Sequence, residues 1–231
     1  MTQHYIIIGG TKGIGRALVN ELTTAGHEVT VYSRNRGDLD SSINHITFDA
    51  TTDEFPKDTL PEEIHGLAYC PGSITLKPFR SLKEETFLAD FNINVMGAVK
   101  SIKAALTKLK KSDQGSIVLF STVAVGQGMA FHASIATAKA AVEGLTRSLA
   151  AELAPAIRVN CIAPSLTDTE LAGSLLSTPE KKEASDQRHP LRRTGTPTDI
   201  AKMAAFLLSS DSTWISGQII GVDGGMSALR V

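Results

Sequence analysis

Two short stretches of this chain combine residue types that bind phosphate. The first is Gly9-Gly10-Thr11-Lys12-Gly13-Ile14-Gly15, which follows the apolar run Tyr5-Ile-Ile-Ile8 and opens a helical pattern. Glycines in a strand-to-helix turn let the backbone approach a pyrophosphate, and the helix N-terminus offers free N–H groups and the positive end of its dipole. Gly9, Thr11, Lys12, Gly13 and Ile14 are therefore candidate dinucleotide contacts. The spacing is G-x3-G-x-G, not the G-x-G-x-x-G fingerprint, and the same residues also suit an ordinary glycine-rich turn. The second stretch is Ser33-Arg34-Asn35-Arg36, at the end of the next strand-like run. Sites for NAD place an acid there for the ribose 2′-hydroxyl, whereas NADP sites place cations near the 2′-phosphate. No acid precedes Gly37. Ser33 and Arg34 thus point to NADPH/NADP+, with Lys12 able to reach the same phosphate; an Arg guanidinium makes forked, charge-assisted bonds to phosphate oxygens.

These turns need a scaffold of strands and helices, and the rest of the chain supplies one. Apolar or β-branched runs at Tyr5–Ile8, Glu28–Tyr32, Asn44–Phe48, Gly66–Cys70, Ser116–Phe120, Ile157–Ile162 and Gln218–Val222 read as seven strands. Helical patterns fall at Ile14–Ala25, Lys83–Lys111, Ser134–Leu153 and Pro197–Leu208. The clearest is the stripe Ile135, Ala138, Val142, Leu145, Leu149, Leu153. This alternation predicts an α/β fold of Rossmann type: one doubly wound, seven-stranded parallel sheet with helices on both faces. From Arg34 to Asp49 the chain is short for this fold, so the crossover helix between the second and third strands is trimmed or absent. Residues 168–192 are polar and carry Ser177-Thr-Pro179 and a charged run at 180–183. They read as an irregular insertion before the last helix, a substrate loop within one domain spanning 1–231.

Composition narrows the function classes. The chain has 231 residues, 42% hydrophobic and 20% charged, which is ordinary for a globular domain. Lys+Arg of 23 against Asp+Glu of 24 leaves a net charge of −1, without the basic footprint of a nucleic-acid binder. No apolar run suits a membrane span, and the N-terminus lacks the basic flank of a signal peptide. Cys70 and Cys161 fit no zinc or redox spacing and read as reduced thiols of a cytoplasmic protein. Aromatics are 5%, with Tyr5, Tyr32 and Tyr69 the three tyrosines.

With these residues in view, the chain resembles the short-chain dehydrogenase/reductase family, in particular its 3-oxoacyl-carrier-protein reductases. Gly9, Gly13 and Gly15 match the family's glycine motif, and Asp49-Ala50 matches the pair that holds adenine. Tyr69-Cys70-Pro71-Gly72 stands where the family has Asn-Asn-Ala-Gly, and Asn94-Val-Met-Gly97 matches the segment with its catalytic Asn. Ala163-Pro164-Ser165-Leu166-Thr167-Asp168-Thr169 resembles the stretch beside the nicotinamide, with Ser165 in place of Gly. Pro190–Gly195, Pro197–Ile200, Ile215–Gln218 and Val222–Gly225 follow in the family's order. The resemblance implies that Asp49, Ala50, Cys70, Pro71, Gly72, Lys139, Pro164, Thr167 and Thr169 also line the cofactor site. It further implies that Asn94, Thr122 and Lys139 carry catalysis, Lys139 through the nicotinamide ribose and Asn94 through a water. It implies a small-molecule substrate, and a homodimer or homotetramer paired through the helices at 83–111 and 134–153.

The chain departs from the family at one decisive position. The family's tyrosine lies four residues before its lysine, and here Ile135 stands four residues before Lys139. Isoleucine has no proton to give. Thr122, thirteen residues before Ile135, keeps a hydroxyl where the family has Ser, and Ser121 beside it could compete for that role. No tyrosine can take the vacant position, since all three lie in strands upstream. His132 is the candidate substitute acid, against the alternative of a loop histidine; Ser134 reads as a helix N-cap. The leading expectation is an NADPH-dependent oxidoreductase acting on a carbonyl or alcohol, with the proton drawn from His132, ordered water or the substrate. The alternatives are an NADPH-binding regulatory or assembly protein without turnover, and a non-redox lyase or isomerase on the same scaffold.

Overall fold

The computed structural model describes residues 2–230. The strands are β1 (His4–Ile8), β2 (Glu28–Ser33), β3 (Asn44–Thr47), β4 (Gly66–Tyr69), β5 (Gly115–Phe120), β6 (Ile157–Pro164) and β7 (Ile219–Val222). They form one seven-stranded sheet in the order β3-β2-β1-β4-β5-β6-β7, with every pair parallel. The order reverses direction between β1 and β4. At such a switch point the crossing connections leave a crevice at the carboxyl ends of the strands, where open α/β sheets bind ligands.

Strand side chains alternate between two cores because successive residues point to opposite faces. Ile6 and Ile8 of β1 join one core with Tyr32, Leu67, Ile117 and Val142. Tyr5 and Ile7 join the other with Leu18, Val31, Val118 and Ile200. Helices α1 (Gly13–Thr24) and α7 (Pro197–Leu208) cover the second face; α3 (Gly97–Leu109) and α5 (Ala133–Leu153) cover the first. Helix α7 starts on a capping box: Thr196 Oγ1 accepts from the Asp199 N–H, and the Asp199 carboxylate accepts from the Thr196 N–H. No helix crosses between β2 and β3. Leu39, buried in that connection, packs with the α1–α7 core in its stead.

Three expectations need correction. The helix expected over 83–111 is α2 (Glu84–Phe91), a wider π-helical segment at Asn92–Met96, and α3. Side chains fill backbone acceptors there: Asn94 Nδ2 donates to the Asp90 carbonyl at 2.8 Å, and the Tyr69 hydroxyl donates to the Ile93 carbonyl at 2.6 Å. Such π-segments accompany functional sites more often than plain helix does. Residues 168–192 are not irregular: a 3-10 turn (Glu170–Leu175) leads to α6 (Pro179–Arg188). Thr178 caps α6 by accepting from the Lys181 N–H, Pro179 presets the first turn, and the charged run lies on solvated helix surface. Ser134 is not a cap. His132 holds the N-cap position of α5, after the short α4 (Ala124–Gln127), and the Ser134 hydroxyl donates to Asp90 Oδ2 at 2.6 Å.

Candidate functional site

A cavity of about 510 Å³ opens at the switch point. The glycine turn after β1 forms its floor. Gly9 and Gly13 have φ of +76° and +51°, and a Cβ on Gly9 would stand 3.0 Å from the Pro71 ring. Only a residue without Cβ lets this turn hug the strand ends and present its N–H groups. Thr11, Lys12 and Ile14 complete this wall, and Ser33, Arg34, Asp49 and Ala50 line the far end beside β2 and β3. Cys70, Pro71 and Gly72 line the β4 side, and Thr169 closes over from the segment after β6. Thirteen of the sixteen residues expected at the cofactor therefore surround one cavity. Its donors and glycine-cleared backbone fit a dinucleotide.

Each end of the cavity has its own electrostatics. The Ser33 hydroxyl donates to the Asn35 carbonyl and pairs with His45 Nε2, both at 2.8 Å, which fixes the strand end and leaves Arg34 exposed at the rim. Arg34 has no ion-pair or hydrogen-bond partner among the described residues. Lys12 instead forms an ion pair with Glu170 across the mouth of the cavity. Asp49 Oδ1 accepts from the Thr51 hydroxyl at 2.6 Å and the Thr51 N–H at 2.8 Å, and these bonds hold its carboxyl below the usual range. The Cys70 thiol is pushed up to about 12 by burial and stays neutral.

The remaining expected residues lie beyond this lining. Pro164 ends β6, and its carbonyl accepts from the Val123 N–H. Thr167 is buried and faces a second pocket of about 180 Å³ with His189 and Asp223, not the main cavity. Lys139 and Asn94 meet the main cavity at Gly72. A Cβ there would lie 3.5 Å from Lys139 Nζ and 3.2 Å from Asn94 Oδ1. Lys139 Nζ donates to the Phe120 carbonyl at 2.8 Å, and desolvation lowers its pKa to about 8 against the opposing pull of Cys161, Cys70 and Asp90. Asn94 Oδ1 is buried without a hydrogen-bond partner.

Thr122 is half-buried just beyond β5, its Oγ1 accepting from the Ala124 N–H at 3.3 Å. Ser121, beside it, is differently placed. It is buried and donates to Glu143 Oε1 of α5 at 2.7 Å. His132 is half-buried, and its Nδ1 donates to the Ala130 carbonyl at 2.7 Å. Ile135 is 5% exposed, one helical turn before Lys139 on the buried face of α5. Sequence reasoning missed Asn35, Thr51, Ile93, Glu170 and Leu171 as cavity residues. Thr51 follows the Asp49-Ala50 pair and was findable. Glu170 reaches the cavity only because the segment after β6 folds back over the glycine turn.

Comparison with known proteins agrees with this geometry. A family model described as enoyl-(acyl carrier protein) reductase matches residues 9–227. The chain is 33% identical to a tropinone reductase homolog of Arabidopsis thaliana, over 96% of this chain and 91% of the relative. It is 30% identical to the 3-oxoacyl-[acyl-carrier-protein] reductase MabA of Mycobacterium tuberculosis, over 98% of this chain and 93% of that protein. Among solved structures it is similar to ElxO with NADP bound, with a TM-score of 0.91 at 27% identity, covering 99% of this chain and 100% of that one. No helix among the described residues is long and apolar enough to cross a membrane. A cavity built on the glycine turn, a half-buried lysine beside an asparagine in a π-segment, and similarity along nearly the whole chain place this protein in the short-chain dehydrogenase/reductase family of oxidoreductases.

Proposed function

We propose that the protein is an NADP(H)-dependent oxidoreductase that interconverts a small-molecule carbonyl and alcohol, with the proton delivered otherwise than by a tyrosine. The observation that carries the cofactor choice is Arg34, exposed and unpaired at the cavity rim where an NAD site would hold an acid. The NADP bound to the similar protein ElxO supports the same choice. When bound, the nicotinamide supplies hydride, and the protein's task is to place it and to manage charge.

The residues divide that task. The glycine turn and the N-terminus of α1 hold the pyrophosphate. Arg34 holds the 2′-phosphate, Asp49 faces the adenine, and Lys139 holds the nicotinamide ribose. Thr122 orients the substrate oxygen. Glu170 and Leu171, on the segment that closes over the cavity, exclude water near the cofactor; residues 168–192 serve as the substrate flap. Ile135 gives an apolar wall where the substrate oxygen would otherwise meet a phenol.

Binding and turnover test this separately. Titration with NADPH and NADH by nicotinamide fluorescence should show tighter NADPH binding. A panel of ketones, β-ketoesters and diketones should then consume NADPH. Binding without consumption of cofactor by any of the panel would favour the second reading, a cofactor-binding protein without turnover, which the buried Ile135 motivates. No binding of either cofactor would overturn both.

A further inference from the structure

Among the described residues two histidines hydrogen-bond to a serine hydroxyl, and the two pairs are built differently. In the first, the Ser33 proton points at the Asn35 carbonyl at 2.8 Å, so the hydroxyl offers His45 only a lone pair. In the second, His189 Nδ1 lies 2.7 Å from the Ser185 carbonyl, and Nε2 lies 2.8 Å from Ser165 Oγ. A carbonyl has no proton to give, so Nδ1 carries the ring proton and donates it. In the neutral ring Nε2 is then the acceptor, and the Ser165 hydroxyl donates to it. Ser165 Oγ has no other hydrogen-bond partner among the described residues.

The fold fixes this pair from both sides. His189 closes the C-terminus of α6, and its ring reaches back one turn to the Ser185 carbonyl. His189 is 2% exposed, and Gly224 after β7 packs against it: a Cβ there would stand 3.6 Å from Cδ2. Ser165, half-buried, follows β6. Both residues line the pocket of about 180 Å³, whose apolar wall is Leu166, Leu191, Ile200 and Val222.

Charge around the ring suits a base. Asp186 of α6 and Asp223 after β7 both feel the His189 charge. Bonds from the Thr194 hydroxyl and N–H hold Asp186 below the usual carboxylate range. Burial pulls Asp223 the other way, but bonds from Ser227 and Gly225 hold it there too. Two carboxylates and the negative end of the α6 dipole therefore favour the imidazolium that forms when the ring takes a proton. Arg193, the cation of this pocket, is held by Asp199 at 2.6 and 2.8 Å.

We propose that Ser165 is a nucleophile activated by His189, and that this pocket takes the acyl group of a small activated carboxylic ester. Ser165 Oγ attacks the acyl carbon, and its proton passes to His189 Nε2 as the Oγ–C bond forms. The carbonyl π pair moves onto oxygen. It returns as the bond to the leaving oxygen breaks with its electron pair, and the leaving alcohol takes the proton from Nε2. Water then attacks the acyl-serine while the same nitrogen takes its proton. The Oγ–C bond breaks, Ser165 regains a proton and the carboxylic acid leaves. The net reaction is ester plus water to acid plus alcohol, with no other co-reactant. The N–H of Leu166, one residue past the nucleophile, has no partner among the described residues and is open to the oxyanion. Pockets that bury drug-sized ligands measure roughly 300–1,000 Å³, so this smaller one suits a short acyl chain. The activity is separate from the reductase reading, and neither depends on the other.

The test treats the full chain with a fluorophosphonate, which phosphonylates activated serines with loss of fluoride, and maps the adduct by peptide mass. The adduct should lie on Ser165 and not on Ser33, and Ser165→Ala should remove it. His189→Gln should slow labelling by about 100-fold or more, the scale of a lost general base. Wild type should hydrolyse p-nitrophenyl acetate, and Ser165→Ala should lose that activity. His189 is buried, so urea denaturation checks that His189→Gln folds. Where it does not, 15N spectra of histidine-labelled wild type carry the test. The His189 ring, assigned by the Nε2 shift that Ser165→Ala produces, should be protonated at Nδ1 and bare at Nε2. No adduct on Ser165, equal labelling in folded His189→Gln, or a proton on Nε2 of the neutral ring would overturn the proposal. Ester hydrolysis equal in wild type and Ser165→Ala would overturn it as well. None of these results bears on cofactor binding.

Discussion

Replacing Arg34 by alanine should separate NADPH from NADH. Arg34 stands at the cavity rim with no partner to surrender, so binding a 2′-phosphate adds a charge-assisted bond without breaking one. Such bonds contribute about 1.5–3 kcal/mol, and exposure at the rim places this one at the lower end, about 1.5–2 kcal/mol. At 1.4 kcal/mol per tenfold, Arg34→Ala should weaken NADPH about 10- to 30-fold and leave NADH unchanged. Lys12 differs because Glu170 already holds it, with side chains 62% and 67% exposed. Exchanging one exposed partner for another is worth less than about 1 kcal/mol, so Lys12→Ala should cost less than about fivefold. Nicotinamide fluorescence titrations of wild type and both variants with each cofactor, at low and high salt, measure these affinities, and the Arg34 effect should shrink as salt screens it. Equal losses for NADPH and NADH, or no loss for either, would refute the assignment of the 2′-phosphate to Arg34.

Other perturbations test the site and its supports. Ile135→Tyr should raise carbonyl reduction by about 100-fold or more, the scale of a restored general acid, as read by NADPH consumption; an unchanged rate would mean that proton delivery does not limit turnover. A Cβ on Gly97 would stand 2.0 Å from the Tyr69 hydroxyl, so Gly97→Ala must expel that group from the Ile93 carbonyl. Overpacking and the lost buried bond together should cost roughly 2–5 kcal/mol in urea denaturation, and Tyr69→Phe in the same chain should recover part of it. Asp199 is held well below the usual carboxylate range by Arg193 and the Thr196 cap. Its folded pKa is depressed, so its contribution is present above the ordinary value of 3.8 and is lost as pH falls below it. Asp199→Asn should therefore be less stable than wild type at neutral pH, with the difference closing in acid.

Much of the architecture was legible because local pattern and tertiary role agree. Continuous apolar strands separated by helical stripes specify a parallel sheet buried on both faces, and the glycine turn specifies where a helix N-terminus meets it. The missing crossover between β2 and β3 followed from chain length alone. The π-segment at Asn92–Met96 was not legible, since it depends on Tyr69 arriving from β4 to take the Ile93 carbonyl. Helix α6 was missed because a polar stretch has no apolar stripe to reveal it, although its Thr178-Pro179 start was in view.

The sequence by itself determined the fold, the cofactor class and the absence of a phenol at position 135. These are properties of residue type and spacing, which the chain carries without folding. Tertiary structure decided which charges are free. Arg34 and Lys12 look alike in sequence, yet the fold leaves one open and gives the other to Glu170. Ser121 and Thr122 are neighbours, yet Glu143 claims one of them. Asp90 reads as an ordinary helical acid until the chain buries it among the hydroxyls of Ser73 and Ser134. Burial and partnership set the chemistry of a polar side chain, and both come from residues far away in sequence.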